Sequence, residues 1–444
     1  MEARKERVAV GKAMRDRVPR SAHGEWKAPA RRKDPVELLI ETSKHRDQEL
    51  LPYRWDRMKT SHFAFLRGAA AVMAADLASM PSTRFRVHSS GDGHLMNFGM
   101  FATPERELIF DLNDFDETHI APFEWDVKRL AASAAVAAEY RKFSTKQAAE
   151  CARTAAEAYR TRVRELAETP VLASWYSRVL ADDLPRPLKR LFDSEKAYDP
   201  ASAHHLMPRW VKVDGGAAKI SDAPPFLFHP PAGDPFHKHQ EALFQAYRKT
   251  LPDERRMLLD RFHLADFAVK VVGVGSVGTR CAVGLLLDEQ RDPLFLQIKE
   301  AEASVLEPYM GKSRYRNHGE RVVTGQRILQ AASDIFLGWA SFAGRDFYVR
   351  QLRDRKASVT IDQMDAGALR AYAALCGRTL ARAHARGGDI VPIAAYLGAA
   401  DAFDQAIARF AVAYARQTER DHAALLRALR SGRLPRVSRA HAAR

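Results

Sequence analysis

Apolar and polar positions divide the chain into a helical part and a strand-rich part. Largely apolar, Ala-rich stretches that begin at Phe63 and at Glu124 predict buried helices, and helical patterns continue to about residue 195. Short runs of β-branched and aromatic residues over 84–88 and 106–112 predict strands between these two helices. Residues 197–236 contain repeated prolines and a Gly-Gly pair, so they predict an irregular insertion.

Helical patterns return over 237–265, and strand patterns follow. Runs over 268–287 and 294–299 predict strands joined by turns, and a predicted helix over 319–334 precedes a further strand over 346–352. The sequence therefore predicts an α+β fold with a large helical lobe and a small antiparallel-sheet lobe. The expected divisions are a basic wrapping segment at 1–60, a first helical part with the insertion at 61–265, the sheet lobe at 266–355, and completing helices at 356–444.

Composition favours a folded protein. The chain has 444 residues and is 46% hydrophobic, which is enough to bury a sizeable core. It has no uninterrupted apolar run of about 18 residues and no apolar segment at its N-terminus, so we expect a cytoplasmic protein without membrane insertion. Its three cysteines, Cys151, Cys281 and Cys376, are too far apart to suggest a zinc site or a disulfide framework.

The net charge of +15 is concentrated at the two ends of the chain. Lys and Arg exceed Asp and Glu by seven over 1–33 and by five over 417–444. Such ends could make weak electrostatic contact with nucleic acid, although solvated basic tails are the simpler interpretation. A non-catalytic basic protein that binds nucleic acid stays an alternative, but interleaved aromatic residues or a recognisable binding module are not evident.

The motif that predicts chemistry is HSSGDGHLMN at 88–97, followed by LIFDLNDFD at 108–116. Phosphoryl transfer needs a carboxylate that orients the attacking hydroxyl, and oxygen ligands that hold Mg²⁺ against the phosphates. Asp92 is the candidate catalytic residue, and His94 could participate. The candidate metal ligands are Asn97 and Asp114, with Asp111 as a further possibility and Asp116 as a possible helper.

A glycine-rich segment forms the second candidate element of the site. Gly273, Gly275, Ser276 and Gly278 lie between two β-branched runs and not before a helix, which argues against a dinucleotide-binding fingerprint. A glycine turn between strands can instead cover the phosphates of a nucleotide, and Lys299 on the third strand can neutralise them. The expected carboxylate partner of Lys299 is one of three glutamates, Glu302, Glu307 or Glu320.

These motifs resemble those of the protein-kinase-like superfamily, especially its aminoglycoside and choline phosphotransferase branch. GDGHLMN at 91–97 is similar to that branch's HGDxHxxN, with Ser90 where the family often has His, and NDFD at 113–116 is similar to IDFxxA. The resemblance implies ATP and Mg²⁺ as cofactors. It also implies that Asp126, in Trp125-Asp126-Val127, braces the catalytic loop by hydrogen bonding, and that Asp114 holds the metal in preference to Asp111.

The order of the motifs differs from that of kinases, because the catalytic loop precedes the glycine segment. If the resemblance holds, the chain is circularly permuted, and the helix over 369–386 is the one that normally leads into the catalytic loop. The cut would then fall just before that loop.

Nearly the full chain is also similar to a bacterial family of uncharacterised proteins, domain of unknown function 2252. The shared motifs include FAFLRGAAA, GDGHLMNFG, FDLNDFDE, VVGVGSVGTR and DIFLGW. This resemblance implies no established activity, so the function must be inferred from the residues.

The main expectation is an ATP- and Mg²⁺-dependent phosphotransferase acting on an unknown hydroxyl acceptor, a small molecule more readily than a protein. Two alternatives keep the nucleotide: a pseudokinase that only binds it, and a protein nucleotidyltransferase. A third is a metal-dependent phosphoesterase, for which His88, Asp92, His94 and Asn97 are possible ligands, but the other motifs of such sites are missing.

Overall fold

The computed structural model describes residues 3–184, 186–192, 207, 210–214, 217–230, 233, 239–271, 273–275, 277–352 and 359–437. Ser276 of the predicted glycine segment lies outside these residues, as do parts of the expected insertion over 197–236. The fold is mixed α+β, as the sequence predicts.

Helices make up most of the described chain. They are α1 Arg4–Arg17, α2 Pro35–Glu41, α3 Leu51–Met58, α4 His62–Gly68, α5 Ala70–Ala78, α6 Phe123–Tyr140, α7 Thr145–Glu168, α8 Val171–Tyr176, α9 Arg186–Phe192, α10 Gln240–Arg248, α11 Asp253–Leu259, α12 Glu307–Met310, α13 His318–Leu329, α14 Ala366–Gly387, α15 Ile390–Leu397 and α16 Ala402–Arg430. The strands are β1 Arg86–Ser89, β2 Phe98–Ala102, β3 Leu108–Leu112, β4 His119–Pro122, β5 Val211–Asp214, β6 Ala217–Ile220, β7 Leu227–Phe228, β8 His263–Lys270, β9 Cys281–Leu287, β10 Pro293–Ala301, β11 Gly338–Phe342 and β12 Arg345–Gln351.

The helical body is built around α6, which is buried along nearly its whole length. Helices α7, α14 and α16 pack around it. Small residues allow this close packing: a Cβ on Gly377 of α14 would lie 2.2 Å from the carbonyl oxygen of Ala155 on α7. The Ala-rich sequence of α6 serves the same purpose, because alanine favours helix and leaves room for a neighbouring backbone.

The main sheet has six strands in the order β11-β12-β10-β9-β8-β7, and every neighbouring pair is antiparallel. One face packs against α10, whose Tyr247 hydroxyl donates to the Phe336 carbonyl oxygen at 2.6 Å. Strand β10 lies inside the sheet, where Lys299 pairs with Cys281 of β9 and Tyr348 of β12. Lys299 is therefore held on a strand with neighbours on both sides.

Two small antiparallel pairs frame the loops of the candidate site. Strand β1 pairs with β4, and β2 pairs with β3. The end of α14 contacts β1, since Val87 and Gly388 form an isolated bridge and a Cβ on Gly387 would lie 2.8 Å from the Cβ of His88. The helix over 366–387 thus ends beside the strand that leads into the loop carrying Asp92.

The helix predicted from Phe63 is in fact two helices, α4 and α5, separated at Ala69 (φ −117°, ψ 36°). Two carbonyl oxygens at the break accept side-chain bonds from arginines distant in sequence. Arg54 Nη2 donates to Gly68 at 2.9 Å, and Arg129 Nη2 donates to Leu66 at 2.7 Å. The Leu66 carbonyl oxygen also accepts from the Ala69 N–H at 3.1 Å, so local and tertiary hydrogen bonds together stabilise the end of α4.

Residues 1–60 contribute more than a surface wrapping. Leu39, Trp55 and Met58 are buried in a cluster that also contains residues of α16. Arg32 joins Asp76 to Asp421 through bonds of 2.6–2.8 Å. Part of the N-terminal basic charge is therefore used inside the fold. None of the helices in the described ranges combines the length and the apolar character that crossing a lipid bilayer requires.

Candidate functional site

A cleft of about 590 Å³ lies between the helical body and the sheet. It brings together nine of the residues that the sequence singles out as candidates, namely Asp92, His94, Asn97, Asp114, Asp116, Gly273, Gly275, Glu302 and Glu307. Most of the remaining wall comes from other residues of two segments, 42–71 and 300–312. Residues separated by more than 180 positions in the chain thus share one cavity.

The loop that carries Asp92 is fixed by a buried carboxylate. Asp126, in the first turn of α6, accepts hydrogen bonds from the backbone N–H groups of Ser90 and Gly91 at 2.7 and 3.0 Å. His384 Nε2 lies 3.1 Å from the same carboxylate, and its Nδ1 lies 2.8 Å from the Tyr159 hydroxyl. The hydrogen bonding expected of Asp126 is therefore present, and it joins the loop to α6, α14 and α7.

Asp92 is largely buried and is held by an arginine that the sequence analysis missed. Arg129, one turn after Asp126 on α6, directs Nε and Nη2 to Asp92 Oδ1 at 2.8 and 2.6 Å. Burial raises the pKa of Asp92 to about 7, against the opposing effect of Arg129. A carboxyl group with a pKa near neutrality can both accept and release a proton, as a general base must.

His94 and Asn97 turn the chain after Asp92. The His94 Nδ1 accepts from the Met96 N–H at 3.1 Å, and its Nε2 lies 3.9 Å from Asp92 Oδ2. Burial and the nearby Arg129 lower the pKa of His94 well below its usual value, so the ring is neutral. Asn97 donates through Nδ2 to the Asp92 carbonyl oxygen at 2.6 Å, which leaves its carboxamide oxygen available to a metal ion.

Two aspartates and Lys299 form the charged group opposite this loop. Lys299 Nζ lies 2.7 Å from Asp116 Oδ2 and 3.9 Å from Asp114 Oδ1. Tyr348 donates to Asp116 Oδ1 at 2.6 Å. Burial alone would raise the pKa of Asp116, but Lys299 and Tyr348 lower it to about 2. Burial opposes the charge on Lys299, but the two aspartates raise its pKa well above the usual value.

The prediction that a glutamate pairs with Lys299 is wrong, because the carboxylate partner of Lys299 is Asp116. Glu302 lies 3.9 Å from Arg46, and Glu307 lies 3.9 Å from His318. Helix α13, which also carries Glu320, instead directs the buried Arg321 toward the aspartate loop. Its guanidinium donates to the carbonyl oxygens of Thr118, Asp116 and Glu302.

Asp111 is removed from the set of candidate metal ligands. It is fully buried, receives a hydrogen bond from Arg382, and accepts from the backbone N–H of Leu112 and Ala331 at 2.8 Å. Strand β3 ends at Leu112, so Asp114 lies on the loop that follows it, and Asp111 is not among the residues that line the cleft. Asp114, whose side chain is 36% exposed, lines the cleft.

The glycine segment is held against the N-terminal segment by arginines. Arg46 Nη1 donates to the carbonyl oxygens of Gly275 and Val277 at 2.6 and 2.8 Å, Arg54 donates to Gly275, and Arg57 donates to Gly273. Gly273 and Gly278 have φ of +67° and +89°, which favours glycine. Gly275 does not have a positive φ, and a Cβ at this position would contact only the Arg67 carbonyl oxygen, at 3.7 Å.

A metal site made wholly of protein ligands is not found among the described residues, which contain no group of three or more His, Cys, Asp or Glu side chains able to hold an ion. His88 packs against the end of α14, and burial lowers its pKa to about 4. Asn97 and Asp114 could offer two oxygen ligands to Mg²⁺, an ion that usually takes its other ligands from phosphates and water.

A second cavity, of about 630 Å³, adjoins the glycine segment on its other side and shares Gly273 with the cleft. Its polar lining includes Asn113, Gln297 and Arg350. Arg350 donates to the Gln297 side chain at 3.1 Å and to the Asn113 carbonyl oxygen at 3.0 Å. Asn113 precedes Asp114 directly, so consecutive residues of one loop line the two cavities.

The sequence profile of the family described as "Uncharacterized protein conserved in bacteria (DUF2252)" matches residues 46–428, and the chain therefore belongs to that family. The match begins at Arg46, which contacts the glycine segment, and it includes the candidate residues Asp92, Asn97, Asp114 and Lys299. Comparison with curated proteins and with solved structures gave no match.

Proposed function

We propose that this member of the DUF2252 family is an ATP- and Mg²⁺-dependent phosphotransferase with a circularly permuted kinase-like fold. The observation that carries the proposal is the meeting of Asp92, Asn97 and Asp114 with the glycine segment around one cleft. A carboxylate near neutrality, two oxygen ligands and a backbone cover are the parts that phosphoryl transfer requires. The acceptor is a hydroxyl compound, and a small molecule is favoured.

The arrangement of the sheet supports the kinase-like part of this proposal. Strands β8, β9, β10, β12 and β11 lie side by side in that order, with the glycine segment between the first two and Lys299 on the third. A glycine turn between two strands with a lysine on the next strand is the arrangement expected of the small, nucleotide-covering lobe, here residues 266–355. The contact between the end of α14 and β1 supports permutation, because an unpermuted chain would connect these two elements directly.

We assign the base of the nucleotide to the second cavity and its phosphates to the cleft. Gln297 and Lys299 are two residues apart on β10 and therefore share a face of the strand. Gln297 lines the second cavity, and Lys299 reaches Asp116 in the cleft. A nucleotide that passes beneath Gly273 would place its base among amide and guanidinium groups and its phosphates near Lys299.

In the proposed reaction the acceptor oxygen attacks the γ-phosphorus of ATP. The acceptor O–H bond breaks and its proton passes to the Asp92 carboxylate, while a bond forms between the acceptor oxygen and phosphorus. The bond from phosphorus to the bridging oxygen breaks, and ADP leaves with that electron pair. Mg²⁺ held by Asn97 and Asp114 would neutralise phosphate charge, and Lys299 would bind the α- and β-phosphates.

The reaction is tested by analysing the nucleotide products after incubation of the protein with ATP and Mg²⁺. We expect ADP from the wild type, as transfer or as slow hydrolysis, and at least a hundredfold less from Asp92→Asn. Lys146→Gln, an exposed change on α7, is the control for altered charge. If AMP were found attached to the protein, the reaction would be nucleotidyl transfer and not phosphoryl transfer. Full activity of Asp92→Asn would refute the assignment of Asp92 as the catalytic base.

A further inference from the structure

Arg67 lines the cleft without a partner for its charge. In the described ranges no hydrogen bond or ion pair is formed by its guanidinium, and its Nε is buried and unsatisfied. Burial lowers the pKa of Arg67, while Asp92 raises it. A half-buried guanidinium without a hydrogen-bond or ion-pair partner is costly to fold, and fold stability alone gives no reason to keep one. The side chain is therefore suited to an anion that enters the cleft.

Arg67 lies between the two predicted halves of the site, the glycine segment and the loop that carries Asp92. Its carbonyl oxygen is 3.7 Å from the position of a Cβ on Gly275, so its backbone adjoins the glycine segment. The preceding carbonyl, that of Leu66, accepts from the same Arg129 that holds Asp92. Arg67 is thus tied to the cover of the cleft on one side and to the candidate base on the other.

Three neighbouring cations are engaged, and Lys312, which also lines the cleft, is exposed to solvent. Lys299 is paired with Asp116, with Asp114 close by. Both terminal nitrogens of Arg54 donate to carbonyl oxygens, one to Gly275 and one to Gly68. Arg46 likewise holds loop carbonyl groups and lies 3.9 Å from Glu302. Among these groups Arg67 alone has both terminal nitrogens uncommitted within the described structure.

We propose that Arg67 binds the γ-phosphoryl group of ATP, the group that moves in the reaction. The inference rests on the proposed function and names a catalytic residue for it. A guanidinium offers two parallel donors to phosphate oxygens and keeps its charge in a buried site. Between the glycine segment and Asp92, it would balance the charge on the three equatorial oxygens during transfer.

The test compares ATP with ADP, which differ by the γ-phosphoryl group, and uses Arg67→Met. We expect the wild type to bind Mg·ATP more tightly than Mg·ADP in calorimetric titrations. Arg67→Met should lose roughly ten- to a hundredfold in ATP affinity, as for a lost charge-assisted contact, and keep its ADP affinity. Arg67→Lys should recover part of the loss, and Lys146→Gln should bind both nucleotides like the wild type.

Thermal unfolding separates this role from a structural one. Because Arg67→Met removes a half-buried charge that lacks a hydrogen-bond or ion-pair partner, the variant should unfold at or above the wild-type temperature. Three results for Arg67→Met would overturn the role of Arg67: an equal loss of affinity for ATP and ADP, no loss of affinity for either nucleotide, or a lower unfolding temperature. Each would leave the phosphotransferase proposal standing. If the wild type binds neither nucleotide, the proposed function fails and this inference fails with it.

Discussion

The backbone cover of the phosphates can be tested at Gly275. A Cβ at this position would meet only the Arg67 carbonyl oxygen at 3.7 Å, which is an ordinary contact, and its φ is not positive. Gly275→Val should therefore change the free energy of unfolding by no more than about 1 kcal/mol. The new side chain would nevertheless enter the cleft where the phosphates are expected. We expect ATP affinity to fall at least tenfold, which corresponds to about 1.4 kcal/mol.

The matched control is Gly278→Ala in the same segment. Gly278 has a φ of +89°, and a Cβ there would lie 3.1 Å from the Cβ of Arg46. An alanine at this position should cost about 1–2 kcal/mol of stability through backbone strain. Nucleotide titration and thermal unfolding of both variants give the comparison. Wild-type ATP affinity in a folded Gly275→Val protein would refute the covering role of the segment.

Three further outcomes are expected. Asp114→Asn should weaken Mg²⁺-dependent ATP binding at least tenfold with little effect on stability. Asp111→Asn should instead cost about 3 kcal/mol of stability and leave Mg²⁺-dependent ATP binding intact. Nucleotide titration and denaturant unfolding will measure both variants. Lys299→Met should cost about 3–5 kcal/mol at pH 7. The pKa of Asp116 is about 2, below the ordinary 3.8, so its ionised form stabilises the wild type. This stabilisation is complete above about pH 4 and is lost as the pH falls toward 2. The difference in unfolding free energy between the wild type and Lys299→Met should therefore narrow below pH 4, as unfolding measured against pH will test. Because the pKa of Asp92 is about 7 and its carboxylate must accept a proton, kcat/KM should rise as the pH increases through 7, and a flat profile from about pH 5.5 to 8.5 would contradict its role as base.

Much of the local structure could be predicted from the sequence. The strand predicted at 84–88 is observed at Arg86–Ser89, and the one predicted at 294–299 is observed at Pro293–Ala301. The residues of the GDGHLMN motif were predicted to lie near Asp114 and the glycine segment, and the cleft brings them together. The strands were predicted from short-range patterns, whereas the meeting of the motifs was predicted from their resemblance to those of kinase-like proteins.

The partner of each charged group could not be predicted, because it depends on how distant segments pack. Arg129 lies on an Ala-rich helix where nothing local distinguishes it from a surface arginine, yet it holds Asp92. Lys299 pairs with Asp116, more than 180 residues away, and not with a nearby glutamate. The hydrogen bonds at the helix break at Ala69 also depend on distant segments, since arginines from other segments donate to carbonyl oxygens there.

The central claim is tested most directly by a crystal structure with Mn²⁺ and an ATP analogue whose β,γ-bridging oxygen is replaced by NH. We expect the anomalous signal of Mn²⁺ between Asn97 and Asp114, the γ-phosphate beneath Gly275 and facing Asp92, and the base in the second cavity. A nucleotide bound outside the cleft, or one with its α-phosphate at Asp92 and its γ-phosphate turned outward, would contradict phosphoryl transfer at this site.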